Sequence, residues 1–308
     1  RNLMTLANKS LLHRNADTGR YTIHEMLRQY AAEQLQKSGK EIATREKHMA
    51  FYADNMTTYE KHYRDTGQLV SSMRIFERDI ENIQAAWQYA SDNTRFDIID
   101  ELMSGLFHFY DTRGWVVKGG EVFGRTADIV KAEANDAQPI LLGKLLARQA
   151  KFLFYRGAHE QALGALQESL SRIEDTDNDD ELAFTLSIFA DVLSYSGDFA
   201  GSQAMCERSL VIFRNNNDRW GIATALNNLG VVYYYLEDYE QAITHYEESM
   251  AISREIGDLS GVAAILSNLG AIAHDQQKYE RAIELYHESM YISEKLHDPY
   301  GIAAIHVN

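Results

Sequence analysis

Proline is nearly absent: 308 residues contain only Pro139 and Pro299. Proline breaks helix interiors and central strands, so a chain with two of them is free to be helical almost throughout. Cysteine is rarer still. Cys206 stands alone, which excludes an internal disulfide framework and fits a reducing compartment. No run of about 18 apolar residues occurs, and no signal-peptide pattern, so the expectation is a soluble cytoplasmic protein with no membrane partner. No G-x-x-x-x-G-K-[ST] motif is present, so the phosphate-cradling loop of that type is missing. The eleven histidines do not group: His24, His48 and His62 are far apart, and neighbours such as His274-Asp275 point in different directions on a helix. Cys206 falls where a small apolar core residue is wanted. No catalytic residue and no metal site is therefore expected, and the chain reads as a non-enzyme.

Charge of one sign is also scarce over most of the chain. The net charge is −15. Residues 1–48 carry nine Lys/Arg against five Asp/Glu, a balance of +4, which leaves −19 for the remainder. That acidic surface argues against nucleic-acid binding by the C-terminal part. It suits a basic or polar partner. Apolar residues make up 45% of the chain, enough to bury a core.

What is abundant is repetition. DRWGIATALNNLGVVYYYLEDYEQAITHYEESMAISREIG (218–257) aligns without a gap on DLSGVAAILSNLGAIAHDQQKYERAIELYHESMYISEKLH (258–297). A third copy starts at DPYGIAAIHVN (298–308). Stepping back 40 residues gives DFAGSQAMCERSL (198–210), and 40 more gives AHEQALGALQESL (158–170). Each unit reads as two amphipathic helices. Leu226, Leu229, Gly230 and Tyr233 share one face of the first, and Ala242, Tyr246 and Met250 one face of the second. Neither helix can bury its stripe alone, so stacked units build the core. Asp218, Asp258 and Asp298 precede the first helices as N-caps. Small residues at Ala150, Ala190, Gly230, Gly270, Ala242 and Ala282 allow close helix approach. Of the three tyrosines at 233–235, one faces the core and its neighbours suit contacts between units.

These residues resemble the tetratricopeptide repeat over about 137–308, with a 40-residue unit instead of the usual ~34. The resemblance implies an all-α, right-handed tetratricopeptide-repeat superhelix of four units plus a truncated fifth. It also implies a concave groove lined by the first helices, which holds a peptide, protein or small-molecule effector. The family's groove positions fall on Lys144, Ala147, Lys151, Phe184, Ser187, Asp191, Thr224, Asn227, Asn228, Val231, Ala264, Ser267, Asn268 and Ala271. Asn227, Asn228 and Asn268 are the informative ones, because an amide offers two donors and an acceptor to a peptide backbone. Lys144 and Lys151 add charge to the groove.

The region before the repeats is helical but off register. Residues 45–63 and 71–93 each read as a helix, and 96–130 as a divergent repeat with Gly114 and Gly119-Gly120 at its turn. The opening, LANKSLLHRNADTGRYTIHEMLRQYAAEQL, reads as helix end, strand, polar turn at 15–19, strand, helix. RYTIHEMLRQYA is similar to the end of the winged-helix domain in STAND or NB-ARC signal-transduction ATPases, and 41–136 resembles their helical linker. The resemblance implies three parts: the last portion of a winged helix with a small β-hairpin (1–40), a linker with a divergent repeat (41–136) and the repeats (137–308). It further implies a longer parent that binds ADP or ATP in a nucleotide-binding core. There His24 would reach the β-phosphate of bound ADP and help hold a resting state. This chain would be the parent's sensing arm, with no cofactor of its own. The alternative is a plain tetratricopeptide scaffold without a nucleotide switch.

Overall fold

The computed structural model describes residues 2–16, 19–66, 69–133 and 138–296. The expected fifth-unit fragment at 298–308, with its Asp298 cap, and the tip of the expected turn at 17–18 lie outside the described residues.

The chain opens with helix α1 (Asn2–Asn8), then strands β1 (Leu12–Arg14) and β2 (Tyr21–Ile23), then α2 (Glu25–Lys37). The two strands pair antiparallel, Leu12 opposite Ile23 and Arg14 opposite Tyr21. The hairpin expected from RYTI is therefore present, and it is the only sheet among the described residues. An ion pair from Arg20 to Asp79 ties it to the linker.

Two long helices follow, α3 (Glu41–Thr66) and α4 (Leu69–Asp92). Met49, Ala53 and Met56 of α3 pack with Phe76, Ile80, Ile83 and Trp87 of α4 in one buried cluster. Helices α5 (Phe96–Thr112) and α6 (Val116–Glu133) form the divergent pair. Gly114 lies at their turn with φ of +64°, as expected. Gly119 and Gly120 do not. They sit buried inside α6, where a Cβ on Gly119 would come within 2.6 Å of the Phe152 ring. Gly119 is small for helix packing, a demand that a turn-based reading misses, whereas a Cβ on Gly120 would make only an ordinary contact with Phe152.

Four regular pairs then stack: α7 (Pro139–Tyr155) with α8 (His159–Ile173), α9 (Asp179–Tyr195) with α10 (Phe199–Asn215), α11 (Arg219–Tyr235) with α12 (Tyr239–Ile256), and α13 (Leu259–Asp275) with α14 (Tyr279–Leu296). The pair α11–α12 shows how the sequence builds a unit. Asp218 accepts a hydrogen bond from Gly221 N at 3.0 Å and starts α11. Ile222, Ala223, Leu226, Leu229 and Gly230 then bury one face. The turn places Glu237 at φ +60°, and Asp238 N donates back to Tyr233 O at 2.9 Å, the six-to-one bond that closes a helix C-terminus. Asp238 caps α12 through Gln241 N at 3.2 Å. Tyr246 then fills the space that Gly230 leaves; a Cβ there would approach its ring to 2.5 Å. Gly270 faces Tyr286 in the same way.

A buried serine recurs in the second helices. Ser169, Ser249 and Ser289 donate to the carbonyls of Gly143, Ala223 and Ala263 at 2.6–2.7 Å. Each bond joins the two helices of one unit across apolar surroundings. Cys206 is fully buried, and burial pushes its thiol pKa up to about 12, so it packs as a small hydrophobe. Among the described residues no helix is long and apolar enough to cross a membrane.

Candidate functional site: the inner face of the repeats

The first helices of successive pairs touch one another: α5 meets α7, α7 meets α9, α9 meets α11 and α11 meets α13. The second helices make no comparable contacts among themselves. The first helices therefore line the inside of the curve, and the residues expected to face a groove all belong to these first helices. The two halves of this face differ in what fills them.

In the N-terminal half, α7 carries Lys144, Arg148 and Lys151 on one face. All three are neutralised by flanking helices. Lys144 Nζ lies 2.9 Å from Asp100 on α5. Lys151 Nζ lies 2.7 Å from Asp191 on α9. Burial alone would lower the pKa of Lys151. The charges of Asp191, Tyr155 and Asp111, together with the hydrogen bond to Asp191, outweigh it, so the pKa is raised and the ammonium stays charged. Arg148 between them is 4% exposed and forms a two-pronged pair with Glu181 on α9, at 2.8 and 2.9 Å. Its guanidinium also lies 4.7 Å from the Phe184 ring centre. Phe107 packs edge-to-face on Phe184, and His108 of α5 reaches Trp220 of α11 at 6.0 Å. This half is filled by its own aromatic and ionic contacts. Lys144 and Lys151 act there as staples between helices, which leaves neither as a free cation.

The C-terminal half is open and lined by small and amide side chains. Thr224, Asn227, Asn228 and Val231 on α11 are half-buried, as are Asn268 and Ala271 on α13; Ala264 is exposed and Ser267 buried. Asn228 Nδ2 donates to Ser187 O at 3.4 Å, and Asn268 Nδ2 donates to Asn227 Oδ1 at 3.1 Å. The asparagines thus form rungs between neighbouring units. Each of these bonds uses one N–H of the donating amide, and the face still carries donors and acceptors toward the open side. Tyr234 donates to Asp275 Oδ2 at 2.8 Å, a further link from α11 to α13. Burial and the Asp275 charge both push the Tyr234 phenol pKa up.

His24 lies far from this face. It is the N-cap of α2, and its Nδ1 accepts from Met26 N at 3.3 Å. A neutral imidazole bonded in this way carries its proton on Nε2. With Met4, Leu11, His13, Arg14 and Ile23, it lines an open cleft of about 630 Å³ between α1 and the hairpin. The exposed ring can offer a donor to phosphate. The sequence carries no phosphate-cradling G-x-x-x-x-G-K-[ST] loop to accompany it. No group of three or more His, Cys, Asp or Glu able to hold a metal occurs among the described residues.

Sequence reasoning missed the Arg148–Glu181 pair. Its members are 33 residues apart on different helices, and spacing along α7 gives no sign of which carboxylate meets the arginine.

Residues 185–255 match one tetratricopeptide repeat family and residues 262–299 another. The helix pairs over those residues are tetratricopeptide repeats, and α7 with α8 precedes them as a further pair in the same all-α array. Among curated proteins none matches the chain. Solved structures share the fold at low identity. A Signal Transduction ATPase with Numerous Domains from Pyrococcus horikoshii, with a tetratricopeptide repeat sensor, is 18% identical with a TM-score of 0.61, over 98% of this chain and 41% of that one. A Rap protein complexed with Competence and Sporulation Factor is 16% identical with a TM-score of 0.55, over 83% of this chain and 80% of that one. Aspartyl phosphate phosphatase F from Bacillus subtilis is 11% identical with a TM-score of 0.53, over 82% of this chain and 77% of that one.

Proposed function

We propose that these tetratricopeptide repeats are a protein-interaction arm, whose open inner face on α11 and α13 takes an extended segment of a partner or effector. The observation that carries this reading is the contrast between the two halves of the face. The N-terminal half is closed by its own ion pairs and rings. The C-terminal half offers amides and small side chains, which let a peptide backbone approach and hydrogen-bond. An extended segment laid there would meet Asn227, Asn228 and Asn268 in sequence along one groove.

The finer reading places this arm in a STAND-type regulatory ATPase. Its support is that the likeness to the Pyrococcus horikoshii protein spans the hairpin, linker and repeats together. In that reading 1–40 is the end of a winged helix, 41–136 the linker, and His24 a nucleotide sensor for a core carried elsewhere in a longer chain. That core would supply the ADP or ATP site. Effector binding would loosen the resting state only as far as the effector prefers the active form. A plain scaffold is the second reading. It is favoured by the Rap protein, which this chain covers over most of its length.

The test uses peptides selected from a display library against the chain. Asn227→Ala with Asn268→Ala should weaken the selected peptides by tenfold or more while the thermal midpoint stays within a few degrees. Unchanged affinity in the double variant would remove the asparagine face from the account.

A further inference from the structure

The three helices α7, α9 and α11 end in tyrosine, at Tyr155, Tyr195 and Tyr235, 40 residues apart. Each lies four residues beyond a groove position and stands at the lip of the inner face. The lip is built as a ladder of stacked rings. Tyr195 stacks on His159, the first residue of α8, at 4.3 Å and 28°. Tyr235 stacks on Phe199, the first residue of α10, at 5.4 Å and 15°. Tyr195 also meets the Phe154 ring edge-to-face at 5.7 Å, and Tyr235 meets the Tyr234 ring at 5.3 Å. Tyr195 remains 67% exposed and Tyr235 54%.

The first rung differs from the next two in one respect. Lys151 Nζ sits 5.1 Å from the Tyr155 ring centre. The residue in the Lys151 position is Asp191 for Tyr195 and Val231 for Tyr235. No cation of the chain lies over either ring among the described residues. The turns that follow Tyr195 and Tyr235 carry charge of one sign. The turns 195–200 and 235–241 contain Asp198, Glu237, Asp238 and Glu240 and no Lys or Arg. Asp198 and Asp238 cap helices, and all four acidic residues are exposed.

We propose that the Tyr195–Tyr235 lip docks an arginine-bearing extended segment of a partner protein, with a guanidinium on each open ring face. A planar guanidinium stacks on an aromatic ring while its charge is held by the flanking carboxylates. Adjacent helices lie about 8–10 Å apart. Three residues of polyproline II helix span about 9.3 Å. Arginines at every third position therefore match successive rungs. The surface is separate from the asparagine face and does not rest on that reading.

The probe is a labelled peptide of three Ser-Pro-Arg repeats, titrated by fluorescence anisotropy near 0.15 M salt, a concentration that screens exposed charges beyond about 8 Å. Tyr195→Leu with Tyr235→Leu keeps the charge and apolar bulk but removes both ring faces. This variant should bind about tenfold more weakly, whereas Tyr291→Leu, on an exposed ring of α14, should bind as the parent does. Replacing arginine by glutamine in the peptide should abolish binding. Equal binding by the double variant, an equal loss in Tyr291→Leu, or retained binding of the glutamine peptide would each overturn the proposal. If the leucine variant loses its helical circular dichroism, Glu237→Gln with Glu240→Gln takes its place, with weaker binding and a shallower salt dependence expected. Unchanged binding and salt dependence there would also overturn it. Asn227→Ala with Asn268→Ala should leave this titration unchanged, so failure here and failure of the groove reading are told apart.

Discussion

At the scale of single residues, the inner face is decided by how each charge is met. Arg148 is almost wholly buried and is neutralised by Glu181. Removing one partner of such a pair leaves a buried charge unmatched, at a cost of about 3–5 kcal/mol. Glu181→Ala should therefore lower the urea midpoint sharply, and Arg148→Met added to it should restore most of the loss. A loss below about 1 kcal/mol would show that water reaches Arg148, and the N-terminal half would then not be sealed. This pair also shows where sequence reading stops. Lys144, Lys151 and Asn268 were expected on the inner face from the resemblance to the tetratricopeptide repeat. What each side chain touches could not be expected, because Asp100, Asp191 and Asn227 are brought to them by packing between units. Spacing along one helix carries no information about that. The serine rungs were not read from the sequence: Glu-Ser recurs before Leu170, Met250 and Met290, but a lone serine in a helix gives no sign that it donates across to Gly143 or Ala223.

At the scale of elements, the helical pairs were legible because two units align without a gap and every one ends at a turn with a defined signal. Asp218 and Asp258 sit where an N-cap is needed and accept from the expected backbone N–H groups. The turns themselves vary more than the sequence pattern suggested. The left-handed position is glycine at Gly114, Gly157 and Gly197, but Glu237 and Gln277 in the last two pairs, at φ +60° and +61°. A side chain in that conformation costs about 1–2 kcal/mol. Gln277→Gly should relieve part of this, offset by the greater freedom of glycine in the unfolded chain. We expect a gain of about 0.5–1 kcal/mol, seen as a higher thermal midpoint. A loss of stability would mean that the Gln277 side chain makes a contact worth more than the strain. Gly119 and Gly120 were misplaced at a turn because glycine has two uses, conformational freedom and small size, and sequence does not say which applies.

At the scale of the whole molecule, the chain is an array whose face is closed at one end and open at the other. An array of stacked units builds its core only between neighbours, so a local change in the groove need not spread. This is why the groove and lip variants can be tested without unfolding the rest. The hairpin and α2 stand apart in character. Met26 and Tyr30 of α2 are exposed, with Leu3 and Met4 of α1, while α2 buries no residue at all. The helical content and the hairpin could both be read from sequence. The division of the inner face into filled and open halves could not, since it depends on α5 reaching across to α9 and α11 through Phe107 and His108. The most direct test of the account is hydrogen–deuterium exchange of the chain with and without a display-selected peptide. The account predicts slowed exchange confined to α11 and α13, centred on residues 224–231 and 264–271. Protection on the outer helices α10, α12 and α14, with none on the inner face, would contradict it.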